Sequence, residues 1–222
     1  MPFLLKDILE QLLEGRDLSA EQAASTLEAL TDDECPSALA GAVLAALRCK
    51  GETAEEIRGL AGAMRGLARR PLLGEREGIT DIVGTGGDGS GSLNLSTGTA
   101  LLAAACGVPV VKHGNRSVSS KSGSADVLEV LGLELPMDER EAGRSLDDTG
   151  FSFLFAPYYH PAMKSVAAVR GAMGVRTVFN ILGPLTNPAA PPFNLIGAFS
   201  PEMAELMADT LAGTEIERAF VI

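Results

Sequence analysis

Short β-branched runs alternate with segments of helical periodicity from residue 79 to residue 222, and this alternation strongly limits the possible folds. The runs predict strands near 79–83, 108–111, 152–155, 194–199 and 219–222. The segments between them predict helices near 96–106, 124–131, 138–148, 161–173 and 201–212. Strands joined by helices form parallel βαβ units. The pattern therefore predicts an α/β domain with its ligand at the carboxyl ends of the strands.

The first part of the chain has a different pattern, because its apolar residues recur only at helical spacing. Three hydroxyl residues, each followed three positions later by Glu or Gln, fit capping boxes; these pairs are Ser19 with Gln22, Thr31 with Glu34, and Thr53 with Glu56. The composition changes near residues 71–74. We therefore predict a small helical domain over residues 1–76 and a larger α/β domain with a mostly parallel sheet over residues 77–222.

Composition excludes several classes of protein. The net charge of −11 argues against a general nucleic-acid or anionic-membrane surface, since phosphate groups are bound mainly by clustered Lys and Arg. The N-terminus has no basic region of a signal peptide, and residues 99–111 are too few to span a bilayer. Cys35, Cys49 and Cys106 have no metal-binding spacing and are predicted to be buried thiols. A cytoplasmic protein is expected.

A long acid-free segment stands out in this acidic chain. No Asp or Glu occurs between Gly89 and Ala125, although Lys112, Arg116 and Lys121 do. The segment follows a short apolar run that breaks into glycines at residues 84–89, which is how a strand brings its backbone close to a phosphate. These features predict a small phosphorylated ligand.

The glycines at residues 84–89 also match GxGxxG, the fingerprint of dinucleotide-binding folds. Those folds need an acid roughly 20 residues further on to hold the ribose hydroxyls. Here that distance leads to the apolar residues 108–111 and then Lys112. No Walker lysine follows a glycine at the required spacing either, so both nucleotide motifs are rejected.

The residues after the glycine loop predict a phosphate seat at the start of a helix. Asn94, Ser96 and Thr97 lie where that helix begins, so free N–H groups, hydroxyls and the helix dipole would face an anion. Ordinary helix capping by the same side chains is the alternative.

Lys112 and Lys121 belong to the loop after the second predicted strand. In a parallel sheet this loop leaves at the same edge as the glycine loop, so both loops should meet at one site. Gly114 and Gly123 would let the backbone approach a ligand. A solvated surface loop is the alternative, but such loops usually mix charges of both signs.

Three other residues deserve an interpretation. His113 and His160 have no partner at metal-binding spacing and are predicted to be structural. Arg170 ends a mostly apolar helix, where it could interact with the helix dipole or clamp a substrate carboxylate. The apolar run at residues 177–188 ends in turn residues and is predicted to shape the pocket.

With these residues in place, the chain resembles the anthranilate phosphoribosyltransferase family over essentially its whole length. The segments 84–88, 94–97, 112–120 and 170–188 are similar to that family's motifs in order and spacing. The resemblance implies transfer of the phosphoribosyl group of PRPP to the amine of anthranilate, with release of pyrophosphate, in tryptophan biosynthesis. It also implies Mg²⁺ as cofactor and a homodimer formed through the helical domain.

The resemblance assigns roles to individual positions. Gly84, Asn115 and Arg170 would bind anthranilate. Ser96 would ligate Mg²⁺, and Lys112, Ser96 and Arg170 would act in catalysis. The residues that would hold PRPP are Gly84, Gly87, Asp88, Ser92, Asn94, Leu95, Ser96, Thr97, Lys112, His113, Gly114, Asn115, Arg116, Ser117, Val118, Ser119, Ser120 and Ser124.

The chain departs from the family in two respects. The family's acidic Asp-Glu pair, which completes the magnesium site, is expected beyond residue 222. Arg170 is followed by Gly171 and Ala172, where a more charged continuation is expected. Two further functions stay open: nucleoside phosphorolysis on the same scaffold, as in the pyrimidine nucleoside phosphorylases, and PRPP binding without turnover.

Overall fold

A computed structural model describes residues 2–86, 93–117 and 122–222. Contacts between residues divide the chain into two compact units. The helical unit comprises Met1–Ala68, His160–Thr186 and Asp209–Thr214, and the α/β unit comprises Arg69–Tyr159, Asn187–Ala208 and Glu215–Ile222. These units are sets of contacting residues, so the domain boundary at residue 76 stays a prediction.

The observed elements follow the order expected from the sequence, and every predicted strand overlaps an observed strand. The helices are α1 (Pro2–Leu13), α2 (Ala20–Leu30), α3 (Ser37–Lys50), α4 (Ala54–Gly66), α5 (Leu95–Ala105), α6 (Ser124–Val130), α7 (Glu139–Thr149), α8 (Ala156–Tyr159), α9 (Met163–Met173), α10 (Phe179–Leu182) and α11 (Pro201–Ala212). The strands are β1 (Thr80–Gly84), β2 (Val110–Gly114), β3 (Phe151–Phe155), β4 (Phe193–Gly197) and β5 (Arg218–Val221).

Two of the three predicted capping boxes are present in the helical unit. Ser19 caps α2 and Thr53 caps α4, each by accepting the backbone N–H three residues on. The third prediction, at Thr31, was wrong. Thr31 instead ends α2, where its N–H donates to the Leu27 carbonyl, and the next helix begins only after Pro36. Proline restricts the preceding residue to extended backbone, which delays that helix.

The helical unit contains a buried ion pair. Glu56 is fully buried and accepts hydrogen bonds from Leu18 N at 2.9 Å, Thr53 N at 2.8 Å and Lys50 Nζ at 3.1 Å. Because each carboxylate oxygen has a donor, the cost of burying the charge is offset.

Arginines of α3 and α4 join later segments of the chain to the helical unit. Arg58 Nη1 donates to the Asp209 carbonyl at 2.8 Å, and Arg65 Nη1 donates to the Leu185 carbonyl at 2.6 Å. Arg48 Nη1 donates to the carbonyl of Arg176. These bonds explain why residues 160–186 and 209–214 belong with the first four helices.

The α/β unit is built on a five-stranded parallel sheet of order β3-β2-β1-β4-β5, which confirms the predicted fold class. One face carries apolar side chains of α5 and α6 against Ile82, Val110 and the phenylalanines of β3. The other face carries α7 against Val111 and Leu154. A sheet covered on both faces is typical of doubly wound α/β folds.

The three cysteines are more exposed than the sequence predicted. Cys49 and Cys106 are exposed and Cys35 is partly exposed, so the prediction of buried thiols was wrong. Cys49 lies on an outer face of α3, and Cys106 is the C-cap of α5, where burial of the helix face ends. Over the described ranges, every helix is too short or too polar to cross a membrane.

Candidate functional site

The glycine loop and the basic loop leave the sheet at the same edge. β1 ends at Gly84 and the parallel β2 ends at Gly114, so the loops that follow them both begin at the carboxyl edge of the sheet. Gly86 has φ +67°, a left-handed conformation that favours glycine. Asn94 Nδ2 donates to the Ser122 carbonyl at 3.3 Å and so links the two loops.

Lys112 lies at the centre of this edge. Its side chain is among the largest fully buried ones, and its Nζ donates to the Ile82 carbonyl of β1. The same Nζ lies 3.5 Å from Ser96 Oγ, in the first turn of α5. A buried ammonium therefore stands beside the N-terminus of an 11-residue helix, and both favour an anion there.

The strands β1 and β2 pair through a ladder that is short in the described residues, with the single register pair Thr80↔Val110. Beyond that pair, Asp81 and Asn187 form polar links between the strands. Asp81 is fully buried and accepts a hydrogen bond from Asn187 Nδ2 at 2.8 Å. Its other oxygen accepts from His113 N at 3.4 Å.

Side chains also satisfy the neighbouring carbonyls. Asn187 Nδ2 donates to the Val111 carbonyl at 2.8 Å, and Lys112 Nζ donates to the Ile82 carbonyl. A buried backbone group needs a partner, and here side chains replace the missing ladder bonds. Side chains of Lys112, Asp81 and Asn187 therefore link β1 and β2 beyond their single register pair.

Burial shifts the pKa values of both charged groups among these side chains. Desolvation raises the pKa of the Asp81 carboxyl to about 6, although the Lys112 charge, Asn187 and two backbone N–H groups act in the opposite direction. Desolvation lowers the pKa of the Lys112 amine, and the Asp81 charge opposes this shift. Each charge thus favours ionisation of the other.

The loop after β2 is shaped by close backbone contacts. Asp126 Oδ2 accepts from Ser117 N at 3.0 Å and from Gly123 N at 2.7 Å, so one carboxylate ties these two positions together. Ser124 Oγ donates to the Asn115 carbonyl at 3.1 Å. A Cβ on Gly123 would overlap the backbone of residues 116 and 117, so the loop requires glycine there.

Arg116, a predicted PRPP ligand, already has partners within the α/β unit. Its Nε donates to Glu129 Oε2 at 3.2 Å, a second guanidinium nitrogen pairs with Glu129 Oε1, and the group lies 4.9 Å from the Phe155 ring centroid. Its side chain is 47% exposed. A ligand phosphate would have to share Arg116 with Glu129.

Arg170 belongs to the helical unit, in the last turn of α9. Its guanidinium lies 5.1 Å from the Phe179 ring centroid, and burial lowers its pKa. The carboxylate clamp predicted for Arg170 stays a prediction.

Some of the remaining predicted PRPP ligands lie within the described residues, and others lie outside them. Asn94 is the N-cap of α5, and Leu95 and Thr97 follow in its first turn. Thr97 is 1% exposed, and its Oγ1 has no hydrogen-bond partner among the described residues. The predicted ligands that lie outside the described residues are Gly87, Asp88, Ser92, Val118, Ser119 and Ser120.

The described residues do not by themselves fit a magnesium ion. Within the described ranges no group of three or more His, Cys, Asp or Glu side chains could hold a metal. Ser96, the predicted ligand, lies 3.5 Å from the Lys112 ammonium, which repels cations. Mg²⁺ prefers octahedral oxygen ligands that usually include one or two carboxylates. Magnesium binding through Ser96 stays a prediction.

Sequence reasoning did not identify Asp81 and Asn187 as site residues. One signal was available for Asp81, because an acid inside an apolar strand is rarely buried without a partner. No local signal pointed to Asn187, which reaches Asp81 across 106 positions of the chain.

Comparison with known proteins agrees with this arrangement. An anthranilate phosphoribosyltransferase of Desulforudis audaxviator is 49% identical over 219 residues, which are 99% of this chain and 63% of that protein. The structure of the Thermus thermophilus enzyme of that name shares 49% identity with a TM-score of 0.86, and covers 93% of this chain and 62% of its own. The predicted resemblance is confirmed.

A third relative is a structure of the Saccharomyces cerevisiae anthranilate phosphoribosyltransferase in complex with PRPP and Mg. It is 29% identical with a TM-score of 0.90, and the match covers 100% of this chain and 66% of that one. The chain thus spans less than two thirds of the length of these relatives.

Two family models match most of the chain. A helical bundle domain of a glycosyl transferase family matches residues 6–68. An a/b domain of a glycosyl transferase family matches residues 76–222, the part that holds β1, β2 and Lys112. The chain therefore belongs to the glycosyl transferase family that these two domains define.

Proposed function

We propose that this chain is the PRPP-binding part of an anthranilate phosphoribosyltransferase. It would transfer the phosphoribosyl group of PRPP to the amine of anthranilate and release pyrophosphate, in tryptophan biosynthesis. The proposal includes PRPP bound together with Mg²⁺, as in the relative from S. cerevisiae. It also includes a cytoplasmic location and a homodimer, both implied by the resemblance.

One observation carries the proposal: the buried ammonium of Lys112 stands beside the N-terminus of α5 at the carboxyl edge of a parallel sheet. Carboxyl edges are where such folds bind ligands. A buried positive charge and the positive end of a helix dipole at one point favour a multiply charged anion. The diphosphate of PRPP has this chemistry, and a neutral nucleoside does not.

Catalysis of this reaction depends mainly on stabilising the negative charge that develops on the leaving pyrophosphate. The bond between C1 of the ribose and the pyrophosphate oxygen breaks, the anthranilate nitrogen forms a bond to C1, and the amine loses a proton to solvent. Charge develops on the leaving pyrophosphate, where Lys112, Ser96 and the positive end of the α5 dipole would stabilise it. Such oriented donors are typically worth several kcal/mol in the transition state.

Calorimetric titration of the 222-residue chain with PRPP and magnesium chloride tests the pocket. We expect binding by the wild-type chain and an affinity up to about 10²-fold weaker for Lys112→Met, because a hydrogen bond to a charged group contributes about 1.5–3 kcal/mol. Methionine keeps the buried stem of the side chain, so the change removes mainly the ammonium. Lys6→Met, at an exposed position of α1, removes the same charge and should bind PRPP normally.

Fluorescence of the anthranilate product then tests turnover. Turnover would establish the transferase, whereas PRPP binding without turnover would support a binding function for this chain. Release of free base from thymidine or uridine with phosphate would favour a nucleoside phosphorylase. A wild-type chain that does not bind PRPP would contradict the proposed function.

A further inference from the structure

We propose that Asp81 and Asn187 are positioning residues for Lys112. Together they hold the carboxyl halves of β1 and β2 apart, so that the Lys112 side chain fills the gap and its ammonium lies beside Ser96. The inference rests on the proposed function, because it takes Lys112 to bind the diphosphate of PRPP.

Side-chain hydrogen bonds take the place of backbone hydrogen bonds between β1 and β2. In an unbroken parallel ladder, the backbone of β1 would satisfy the Val111 carbonyl and the His113 amide. Here the Val111 carbonyl accepts from Asn187 Nδ2 and the His113 amide donates to Asp81. Side chains therefore act as spacers between two strands that would otherwise close on each other.

The amide of Asn187 is suited to this role because its nitrogen has two hydrogens. One donates to Asp81 Oδ2 and the other to the Val111 carbonyl, each at 2.8 Å. The side-chain oxygen of Asn187 accepts from Ala189 N at 2.9 Å. The whole carboxamide is thus fixed, and so is the carboxylate it contacts.

The carboxylate of Asp81 is required in its acceptor-only form. Asparagine at position 81 has nearly the same shape, but it would present an NH₂ group either to Asn187 Nδ2 or to the His113 amide. Two donors cannot pair, so one of the two links must be lost. The gap that holds Lys112 would then change shape, although Lys112 itself is untouched.

A double-mutant cycle separates positioning from a general loss of stability. The variants are Asp81→Asn, Asn187→Ala, Lys112→Met and Asp81→Asn with Lys112→Met, each titrated with PRPP and magnesium chloride. We expect Asp81→Asn and Asn187→Ala to weaken PRPP binding by about 10-fold or more, the scale of about 1.4 kcal/mol. In the Lys112→Met background, Asp81→Asn should change the affinity less than about twofold.

Glu56→Gln is the matched control, because Glu56 is also a fully buried carboxylate beside a lysine, but in the helical unit. It should lower the melting temperature while leaving PRPP affinity within about twofold of wild type. Equal losses of affinity from Asp81→Asn in both Lys112 backgrounds would overturn the inference and leave Asp81 a purely structural role.

Hydrogen exchange gives a readout that does not depend on PRPP. Asp81→Ala, which removes both acceptor oxygens, should speed exchange at the His113 amide relative to the amides of β3, because that amide donates to Asp81. If the wild-type chain does not bind PRPP, the proposed function fails, and exchange at His113 still decides the positioning. Unchanged exchange at His113 would overturn it.

Discussion

At the scale of single residues, the site depends on charges that are buried and compensated. Lys112 and Asp81 are almost inaccessible to solvent, yet their donors and acceptors are shared with backbone groups of two strands. Burial of one charge alone would be costly, and a second charge nearby offsets part of that cost. The Lys112 ammonium is therefore held in place before any ligand arrives, which lowers the cost of binding an anion.

His160 offers a test of burial at this scale. It is 4% exposed in the helical unit, and desolvation lowers its pKa to about 4, while the carbonyls of Thr186 and Met64 favour the protonated ring. The unfolded chain binds the proton near pH 6.5, whereas the folded chain does so only near pH 4. Stability should therefore fall as the pH drops from about 6.5 towards 4.

Urea unfolding of the wild-type chain and of His160→Gln at several pH values isolates this effect. Glutamine cannot take up a proton, so the stability of the wild-type chain should drop by about 1 kcal/mol more than that of the variant between about pH 7 and pH 5.5. Parallel curves for the two proteins would show that His160 is not held neutral by burial.

At the scale of elements, close approach of helices depends on glycine. The Cβ of any other residue at position 59 of α4 would overlap the Ala20 carbonyl at the start of α2. On the same helix, a Cβ at Gly62 would meet no atom within 4 Å. The two glycines have the same backbone environment but different neighbours, so they form a matched pair.

We expect Gly59→Ala to destabilise the chain by about 1–3 kcal/mol, since α2 and α4 must move apart. Gly62→Ala should be neutral or stabilising by up to about 1 kcal/mol, because alanine is the better helix former. Thermal unfolding monitored by circular dichroism measures both. A loss at Gly62 as large as that at Gly59 would contradict the argument from close approach.

At the scale of the whole molecule, each unit is assembled from separate stretches of sequence. The first four helices are joined by residues 160–186 and 209–214, which the arginines at positions 48, 58 and 65 hold through backbone carbonyls. The sheet likewise takes β1 to β3 from one stretch and β4 and β5 from later ones. No single continuous segment of the chain therefore contains all residues of either unit.

The proposed homodimer, formed through the helical unit, can be tested on the small exposed residues of α3. Ala38, Ala45 and Cys49 of α3 are exposed on one side of that helix, and such small residues allow close approach of a partner helix. Light scattering should give twice the chain mass of 23.0 kDa for the wild-type chain. Ala45→Arg should return it towards one chain mass, whereas Glu28→Arg, at an exposed position of α2, should not. A wild-type mass of one chain would contradict the dimer.

Local patterns were enough to predict the parallel sheet, its strands and the meeting of two loops at one edge. Strand periodicity, helix caps such as Ser19 and Thr53, and the glycines after β1 are encoded within a few residues of each other. The topology of parallel strands then places their carboxyl ends together without further information.

Contacts between distant positions needed the tertiary structure. Asn187 meets Asp81 from 106 residues away, Arg116 pairs with Glu129, and residues 160–186 join the helical unit. Each depends on strand register, helix position and loop course at once, and a one-residue shift of a strand would turn Asp81 to the other face. Local sequence patterns therefore determine the helices, strands and turns. Only the assembled tertiary structure determines which buried charged groups lie next to each other.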